Sequence, residues 1–338
     1  MLKQFLNQYD TIIFDMDGVM TSEQAYWDAA ALTVWEYLKW NKDEPINAPE
    51  CMENLQEIRK KIFCDDQLIA VLKEKGVNSN WDLAYITVCM AWICGVEDDF
   101  SAVLEYARNM PENILNYYDE LALLCSKKTG FDYDWLQRNH LMWQTMQGIF
   151  QEWYLGDRLF EEQYGYVPRN CGKSGLLFRE KPIIRLEILQ QLLCELSTTK
   201  RLCTATGRPS VELFQPITDW DIKKYFALDG FCNYDHVVAA EQGKRTLTKP
   251  HPYMFLKALY GTDYPDERIL NGDYDRSKIK TTLVVGDAGS DILAAKAMGA
   301  DFCAVLTGVA GQAGRKYFEE MQAEYILNSL EDFLIIKT

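Results

Sequence analysis

The sequence predicts an α/β protein in which a Rossmann-like parallel sheet is interrupted by an all-α insert. Short apolar runs rich in β-formers alternate with helical segments at both ends of the chain, which is typical of a parallel sheet with helical crossovers. Between these ends, helical segments follow one another with no convincing strand. We therefore expect an α/β core made of residues 1–20 and 178–338, and an inserted helical domain of residues 21–177.

The predicted strands are short. The first, Thr11–Phe14, is a continuous apolar and β-branched run, as in a strand buried on both faces. It ends where Asp15 begins a turn, and a second strand is predicted at 201–206. The remaining strands are predicted at 236–239, 281–285 and 302–306, with helices near 182–196, after Pro252 and from Asp291.

Charge limits the choice of partners. The 338 residues include 35 basic and 50 acidic side chains, so the formal net charge is −15. Such a chain repels nucleic acid and anionic membrane surfaces, and we expect neither as a partner. It would also repel a phosphorylated substrate at long range, so a bound cation and local backbone dipoles would have to attract that substrate.

The cysteines and the apolar segments indicate a cytoplasmic protein. The ten cysteines have no disulfide-framework spacing, and Cys89, Cys94, Cys194 and Cys203 lie in apolar surroundings that predict reduced core residues. No signal-peptide pattern is evident, and the apolar stretch 83–94 is too short to cross a bilayer. The oligomeric state stays open.

Four short fragments carry the candidate chemistry. Asp15-Met16-Asp17-Gly18 offers two carboxylates two residues apart, which suit a nucleophile and a general acid/base, although an acidic turn would also explain them. Thr206-Gly207-Arg208 offers a hydroxyl and turn amides for a phosphate group. Lys249, in Lys-Pro-His-Pro, is a cation before a helix start. Asp287 and Asp291, in Gly-Asp-Ala-Gly-Ser-Asp, suit a hard cation such as Mg²⁺.

The order and strand context of these fragments resemble a known family. Phe-Asp-Met-Asp-Gly-Val, Thr-Gly-Arg, Lys-Pro-x-Pro and Gly-Asp-x-x-x-Asp are similar to the four motifs of the haloacid dehalogenase (HAD) superfamily. The helical insert resembles in architecture the cap of the subgroup that includes phosphoglycolate phosphatases and β-phosphoglucomutases. The segment Val305–Val309 is also similar to the family's last-strand segment.

The resemblance implies roles for the matching residues. Asp15 would attack phosphorus and form an aspartyl-phosphate, and Asp17 would protonate the leaving oxygen and later activate water. Thr206 and the Gly207 amide would hold phosphoryl oxygens, and Lys249 would offset the charge that develops on the phosphoryl group.

The resemblance also implies a metal site and a reaction class. Asp15, the Asp17 backbone carbonyl and Asp287 would bind Mg²⁺, with Asp291 as a further ligand or next to one. The presence of Asp17 favours phosphate esters over carbon–halogen bonds, so we expect a phosphatase acting on a small phosphorylated metabolite, with a helical lid over its site. A phosphotransferase or mutase, or a silent scaffold of this fold, remains open. The mutase is less favoured because Trp27 replaces the expected histidine.

Some signals do not support a site. Gly172-Lys173-Ser174 resembles the end of a nucleotide P-loop, but position 167 is Val and no strand precedes it. A hinge that places Lys173 or Arg179 over the substrate is the preferred interpretation. His140, His236 and His251 have no metal-binding spacing.

Overall fold

The computed structural model describes residues 3–40, 42–77, 79–241 and 246–334. Contacts between Cα atoms divide the chain into two compact units. Met1–Glu23 and Glu180–Thr338 form the first, here called the sheet unit, and Gln24–Arg179 forms the second, here called the helical unit.

Helices form the regular structure of the helical unit as far as it is described. Its first helix, α1, packs against α3, α5 and α9. Across the described residues of the whole chain, no helix is both long and apolar enough to cross a membrane. The helices are α1 Gln24–Trp40, α2 Ala48–Glu53, α3 Leu55–Phe63, α4 Gln67–Glu74, α5 Asn80–Cys94, α6 Ser101–Arg108, α7 Tyr118–Thr129, α8 Tyr133–Leu136 and α9 Leu141–Tyr164.

Lys173 lies inside the helical unit rather than over a substrate. Its ammonium group contacts Glu36 of α1 at 3.0 Å and Glu152 of α9 at 2.5 Å, and all three side chains are buried. A buried lysine needs such partners because an unpaired charge is costly to desolvate. Of the two residues predicted to lie over the substrate, Lys173 was therefore wrong and Arg179 stays a prediction, and the P-loop-like segment is part of the packing of this unit.

The described residues of the sheet unit form six parallel strands in the order β3-β2-β1-β4-β5-β6, which confirms the predicted α/β class. Central β1 pairs with β2 on one side and with β4 on the other, so that Ile13 lies opposite Cys203 and Val284. The strands are β1 Thr11–Phe14, β2 Arg201–Ala205, β3 Phe231–Cys232, β4 Thr282–Gly286, β5 Asp301–Val305 and β6 Tyr325–Leu327.

Helices and apolar side chains cover both faces of this sheet. Ile12 and Phe14 belong to one buried cluster and Ile13 belongs to the other, as expected when successive side chains of a strand alternate. The helices are α10 Leu186–Ser197, α11 Ser210–Asp219, α12 Tyr234–Glu241, α13 Tyr253–Tyr260, α14 Asp266–Leu270, α15 Gly289–Met298 and α16 Arg315–Glu320.

The strand predicted at 236–239 was wrong, because these residues belong to helix α12. Asn233 explains the difference, since its side-chain oxygen accepts hydrogen bonds from the backbone N–H groups of Asp235 and His236. Such a cap starts a helix directly after β3. A short apolar run fits a strand and a buried helix equally well by periodicity alone.

The cysteine prediction was partly wrong. Cys194 is exposed and Cys94 is half-buried, whereas Cys89 and Cys203 are buried. The amphipathic pattern of α10 accounts for Cys194, since the helix buries a stripe made of Leu189, Leu192, Leu193 and Leu196.

Thiol alkylation should follow this burial. Burial raises the pKa of both Cys203 and Cys232 to about 12, so at about pH 8 these thiols stay protonated and unreactive. We expect iodoacetamide to modify exposed Cys171 and Cys194 in the native protein, and to modify Cys203 and Cys232 only after unfolding in urea. Peptide mass spectrometry measures this, and rapid native labelling of Cys203 or Cys232 would contradict it.

Candidate active site

The carboxyl ends of the three central strands bring candidate residues to one edge of the sheet. Asp15 directly follows β1, Thr206 follows β2, and Asp287 follows β4. Because β2, β1 and β4 are neighbours in the sheet, these residues meet although they are far apart in sequence.

Three carboxylates and a lysine form the centre of the site. Asp15, Asp287 and Asp291 each offer an oxygen, and these oxygens lie within 4.8 Å of one another. The Lys249 ammonium group lies 2.8 Å from Asp15 and 2.8 Å from Asp291. Asp291 stands in the first turn of α15, where its carboxylate accepts a hydrogen bond from the Ala288 N–H at 3.1 Å.

The pKa shifts of these groups show how strongly the charges interact. Burial raises the pKa of Asp15 to about 7, against the lowering effect of Lys249, and the charges of Asp291 and Asp17 add to the increase. Burial also raises the pKa of Asp287 well above its usual range, with Asp291 and Asp15 as further causes.

The charges of the cluster fit a divalent cation. Burial acts to lower the pKa of Lys249, but the charges and hydrogen bonds of Asp15 and Asp291 raise it by more. The net shift of the Lys249 pKa is therefore upward, and the lysine stays charged. One ammonium group opposes three carboxylates, which leaves two negative charges when all three acids are ionised. Buried like charges are costly, and oxygen ligands around a net negative centre suit Mg²⁺.

Two glycines make room for the Asp287 carboxylate. A Cβ atom on either Gly18 or Gly308 would overlap this carboxylate, and Gly18 also has a positive φ of 71°. The Thr307 hydroxyl donates a hydrogen bond to the Gly18 carbonyl at 2.5 Å, which joins the two glycine segments. The predicted site residues did not include Thr307 or Gly308, although both lie in the segment Val305–Val309 noted for its similarity to the family.

Substitution of Gly308 should weaken metal binding. In Gly308→Ala the new methyl group displaces the Asp287 carboxylate, so we expect Mg²⁺ affinity to fall about 10- to 100-fold. The Mg²⁺-induced increase in unfolding temperature, titrated against metal concentration, measures this. Gly148→Ala is the matched control, because a Cβ there meets nothing within 4 Å. Equal Mg²⁺ affinities for both variants would contradict the role of the glycine pair.

The side chain of Asp17 has different partners from that of Asp15. Arg208 donates hydrogen bonds to Asp17 from Nη2 at 2.5 Å and from Nε at 3.1 Å, and the Thr21 hydroxyl donates one at 3.1 Å. The Asp17 side chain is 28% exposed and is therefore still open to small molecules. Arg208 was noted only as part of a phosphate-binding fragment, and its pairing with Asp17 was missed.

Thr206 and Gly207 begin the turn after β2. The buried Thr206 hydroxyl accepts a hydrogen bond from the Arg208 N–H at 3.2 Å. A Cβ on Gly207 would meet nothing within 4 Å, so the backbone here is uncrowded. Phosphate binding by these two residues stays a prediction.

Comparison with known proteins gives a family match over part of the chain and a similar solved structure over most of it. Residues 246–333 match the family model described as HAD-hydrolase-like, and this range contains Lys249, Asp287 and Asp291. The structure is similar to the crystal structure of a Northeast Structural Genomics Consortium target, with a TM-score of 0.80, 26% identity, and coverage of 96% of this chain and 97% of the other. No curated protein sequence matches the chain significantly. The chain is therefore similar to HAD-like hydrolases over residues 246–333, the part that contains Lys249, Asp287 and Asp291.

More distant structures were also found. The phosphatase Tt82 from Thermococcus thioreducens is 19% identical with a TM-score of 0.49, over 86% of this chain and 90% of that protein. A haloacid dehalogenase-like protein from Agrobacterium tumefaciens is 15% identical with a TM-score of 0.44, over 96% and 95% of the two chains.

Proposed function

We propose that this hydrolase is a Mg²⁺-dependent phosphatase that acts on a small phosphorylated metabolite through an aspartyl-phosphate on Asp15. The observation that carries the proposal is the contact between the Asp15 carboxylate and Lys249 within a cluster of three acids at the carboxyl edge of the sheet. A hydrolase whose nucleophile is a carboxylate needs this combination, because the phosphoryl group that it attacks is itself anionic.

Asp15 is the nucleophile of the first step. One of its carboxylate oxygens attacks phosphorus, the bond between phosphorus and the ester oxygen breaks, and the phosphoryl group becomes attached to Asp15. Lys249, at 2.8 Å from Asp15, holds the carboxylate in place and offsets the charge on the phosphoryl oxygens.

Asp17 transfers protons in both steps. In the first step it donates a proton to the leaving oxygen, and in the second it removes a proton from the water that attacks phosphorus. The second step breaks the bond between phosphorus and Asp15, releases phosphate and restores the carboxylate. Partial exposure of the Asp17 side chain supports this role, since a fully enclosed carboxyl group could not reach substrate or water.

Asp15, Asp287 and the Asp17 carbonyl would hold Mg²⁺, with Asp291 either as a ligand or beside one. When bound, Mg²⁺ supplies positive charge that attracts the anionic phosphoryl group to the carboxylate cluster and offsets the negative charge on the phosphoryl oxygens. Thr206 and the Gly207 N–H bind phosphoryl oxygens from the β2 side, where the turn backbone is uncrowded.

A substrate panel tests this function. Phosphate release is measured with Mg²⁺ from sugar phosphates, phosphoglycolate, nucleotides and p-nitrophenyl phosphate. We expect release from at least one ester, with kcat/KM values that rank the natural substrate class. Transfer of the phosphoryl group to a second metabolite, with no free phosphate, would instead assign a phosphotransferase or mutase. No turnover of any ester by folded, Mg²⁺-loaded protein would contradict both.

A further inference from the structure

Arg208 lies between two acids that come from distant parts of the sequence. Its Nε and Nη2 atoms donate hydrogen bonds to Asp17 on one side, and its Nη1 atom donates to Glu180 at 2.8 Å on the other. Nη1 also donates to the Glu212 carbonyl, and Nη2 to the Thr21 hydroxyl. The guanidinium plane is therefore fixed from several directions within the sheet unit.

Burial makes this arrangement rigid. The side chains of Arg208 and Glu180 are each 1% exposed, whereas that of Asp17 is 28% exposed. A guanidinium group presents its donors in a planar fork, so anchoring one nitrogen fixes the direction of the others. Since Glu180 and the Glu212 carbonyl hold Nη1, the remaining nitrogens point toward Asp17.

We infer that Arg208, oriented by Glu180, is a positioning residue that holds the Asp17 carboxyl group in place for proton transfer to the leaving oxygen. The inference rests on the proposed phosphatase reaction. Arg208 donates hydrogen bonds to Asp17 from Nε and Nη2, so it acts on the reaction through the Asp17 carboxyl group. Glu180 acts indirectly, because its carboxylate accepts a hydrogen bond from Arg208 and orients the guanidinium group.

The dependence of rate on the leaving group separates this role from a purely structural one. Phenyl phosphate and p-nitrophenyl phosphate have nearly the same shape, but phenolate is much the more basic leaving group and needs the proton more. A mispositioned Asp17 slows phenyl phosphate selectively, whereas a partly unfolded enzyme loses the same fraction of activity on both esters. The ratio of kcat/KM reports the step in which the ester bond breaks.

The variants are Arg208→Lys and Glu180→Gln, with Arg201→Lys as the matched control. Arg201 begins the strand that leads to Arg208, and it pairs with Asp229 at 2.8 Å away from the site. We expect Arg208→Lys to lower kcat/KM about 100-fold for phenyl phosphate and less than about tenfold for p-nitrophenyl phosphate. Glu180→Gln should shift the ratio in the same direction by a smaller factor, and the control should leave it unchanged.

The outcomes decide between the alternatives. Equal losses on both esters in both variants, or no loss, would overturn the inference and leave the phosphatase function intact. Wild-type protein that hydrolyses neither of these esters nor any other ester of the substrate panel would overturn both the inference and the phosphatase function. If Arg208→Lys does not fold, judged by circular dichroism, Glu180→Gln decides alone, because it keeps the shape and a hydrogen-bond acceptor for Arg208.

Discussion

Asp15→Asn should abolish phosphate release, with a fall in kcat of at least about 1,000-fold. An amide has nearly the shape of a carboxylate, but it is a poor nucleophile and forms no stable phosphoryl adduct. The substitution also removes a negative charge next to Lys249, Asp287 and Asp291, so it relieves repulsion in the cluster rather than adding it. Loss of activity is therefore expected in a folded protein.

Asp10→Asn is the matched control for this substitution. Asp10 is exposed and precedes β1, whereas Asp15 follows the same strand. The Asp10 backbone N–H donates a hydrogen bond to the Thr281 carbonyl, and the Asp10 carbonyl accepts one from the Arg201 N–H, so the substitution leaves these contacts in place. We expect phosphate release by Asp10→Asn to match the wild type and both proteins to unfold in the same temperature range. Activity in Asp15→Asn above a few per cent of wild type would exclude Asp15 as the nucleophile.

Removal of Mg²⁺ should stop phosphate release as completely as the Asp15→Asn substitution does. The carboxylates of Asp15, Asp287 and Asp291 face a single ammonium group, that of Lys249, so the substrate phosphate would meet net negative charge. We expect EDTA to reduce phosphate release to background and excess Mg²⁺ to restore it. Asp287→Asn should weaken Mg²⁺ binding at least about 100-fold, since it removes a ligand charge.

Protein stability gives an independent measure of metal binding. Mg²⁺ at about 100 times its dissociation constant should stabilise the native wild-type protein by about 2.7 kcal/mol, which raises the unfolding temperature. Asp287→Asn should show no increase at the same concentration. Full phosphate release in EDTA, or an unfolding temperature that does not respond to Mg²⁺, would contradict the proposed metal site.

The sequence predicted those features that depend on local pattern. The runs at β1, β2 and β4 have a composition that favours buried strands, and the acids or hydroxyls after them had to meet once the strands were neighbours. Asp15 and Asp287 are together for that reason, whereas Asp291 comes from the first turn of α15 and Lys249 from the segment before α13. The roles assigned to them, and the helical lid, stay predictions.

The features that were missed depend on contacts between distant residues. The pairing of Arg208 with Asp17 and Glu180 cannot be predicted from motif spacing, because in the sequence Asp17 precedes the helical insert and Glu180 follows it. Lys173 resembled a substrate-binding lysine because its two glutamate partners are remote in sequence. The strand expected at 236–239 failed for a local reason, namely the overlooked cap at Asn233.

Direct detection of the phosphoryl group on Asp15 tests the central claim. The protein is mixed with Mg²⁺ and its best substrate, quenched in acid during turnover and digested for peptide mass spectrometry. The proposed mechanism predicts that the peptide containing Asp15 gains one phosphoryl group, that Asp17→Asn accumulates more of it, and that Asp15→Asn shows none. Continued phosphate release with no adduct on Asp15 in either wild type or Asp17→Asn, or with an adduct on another residue, would contradict it.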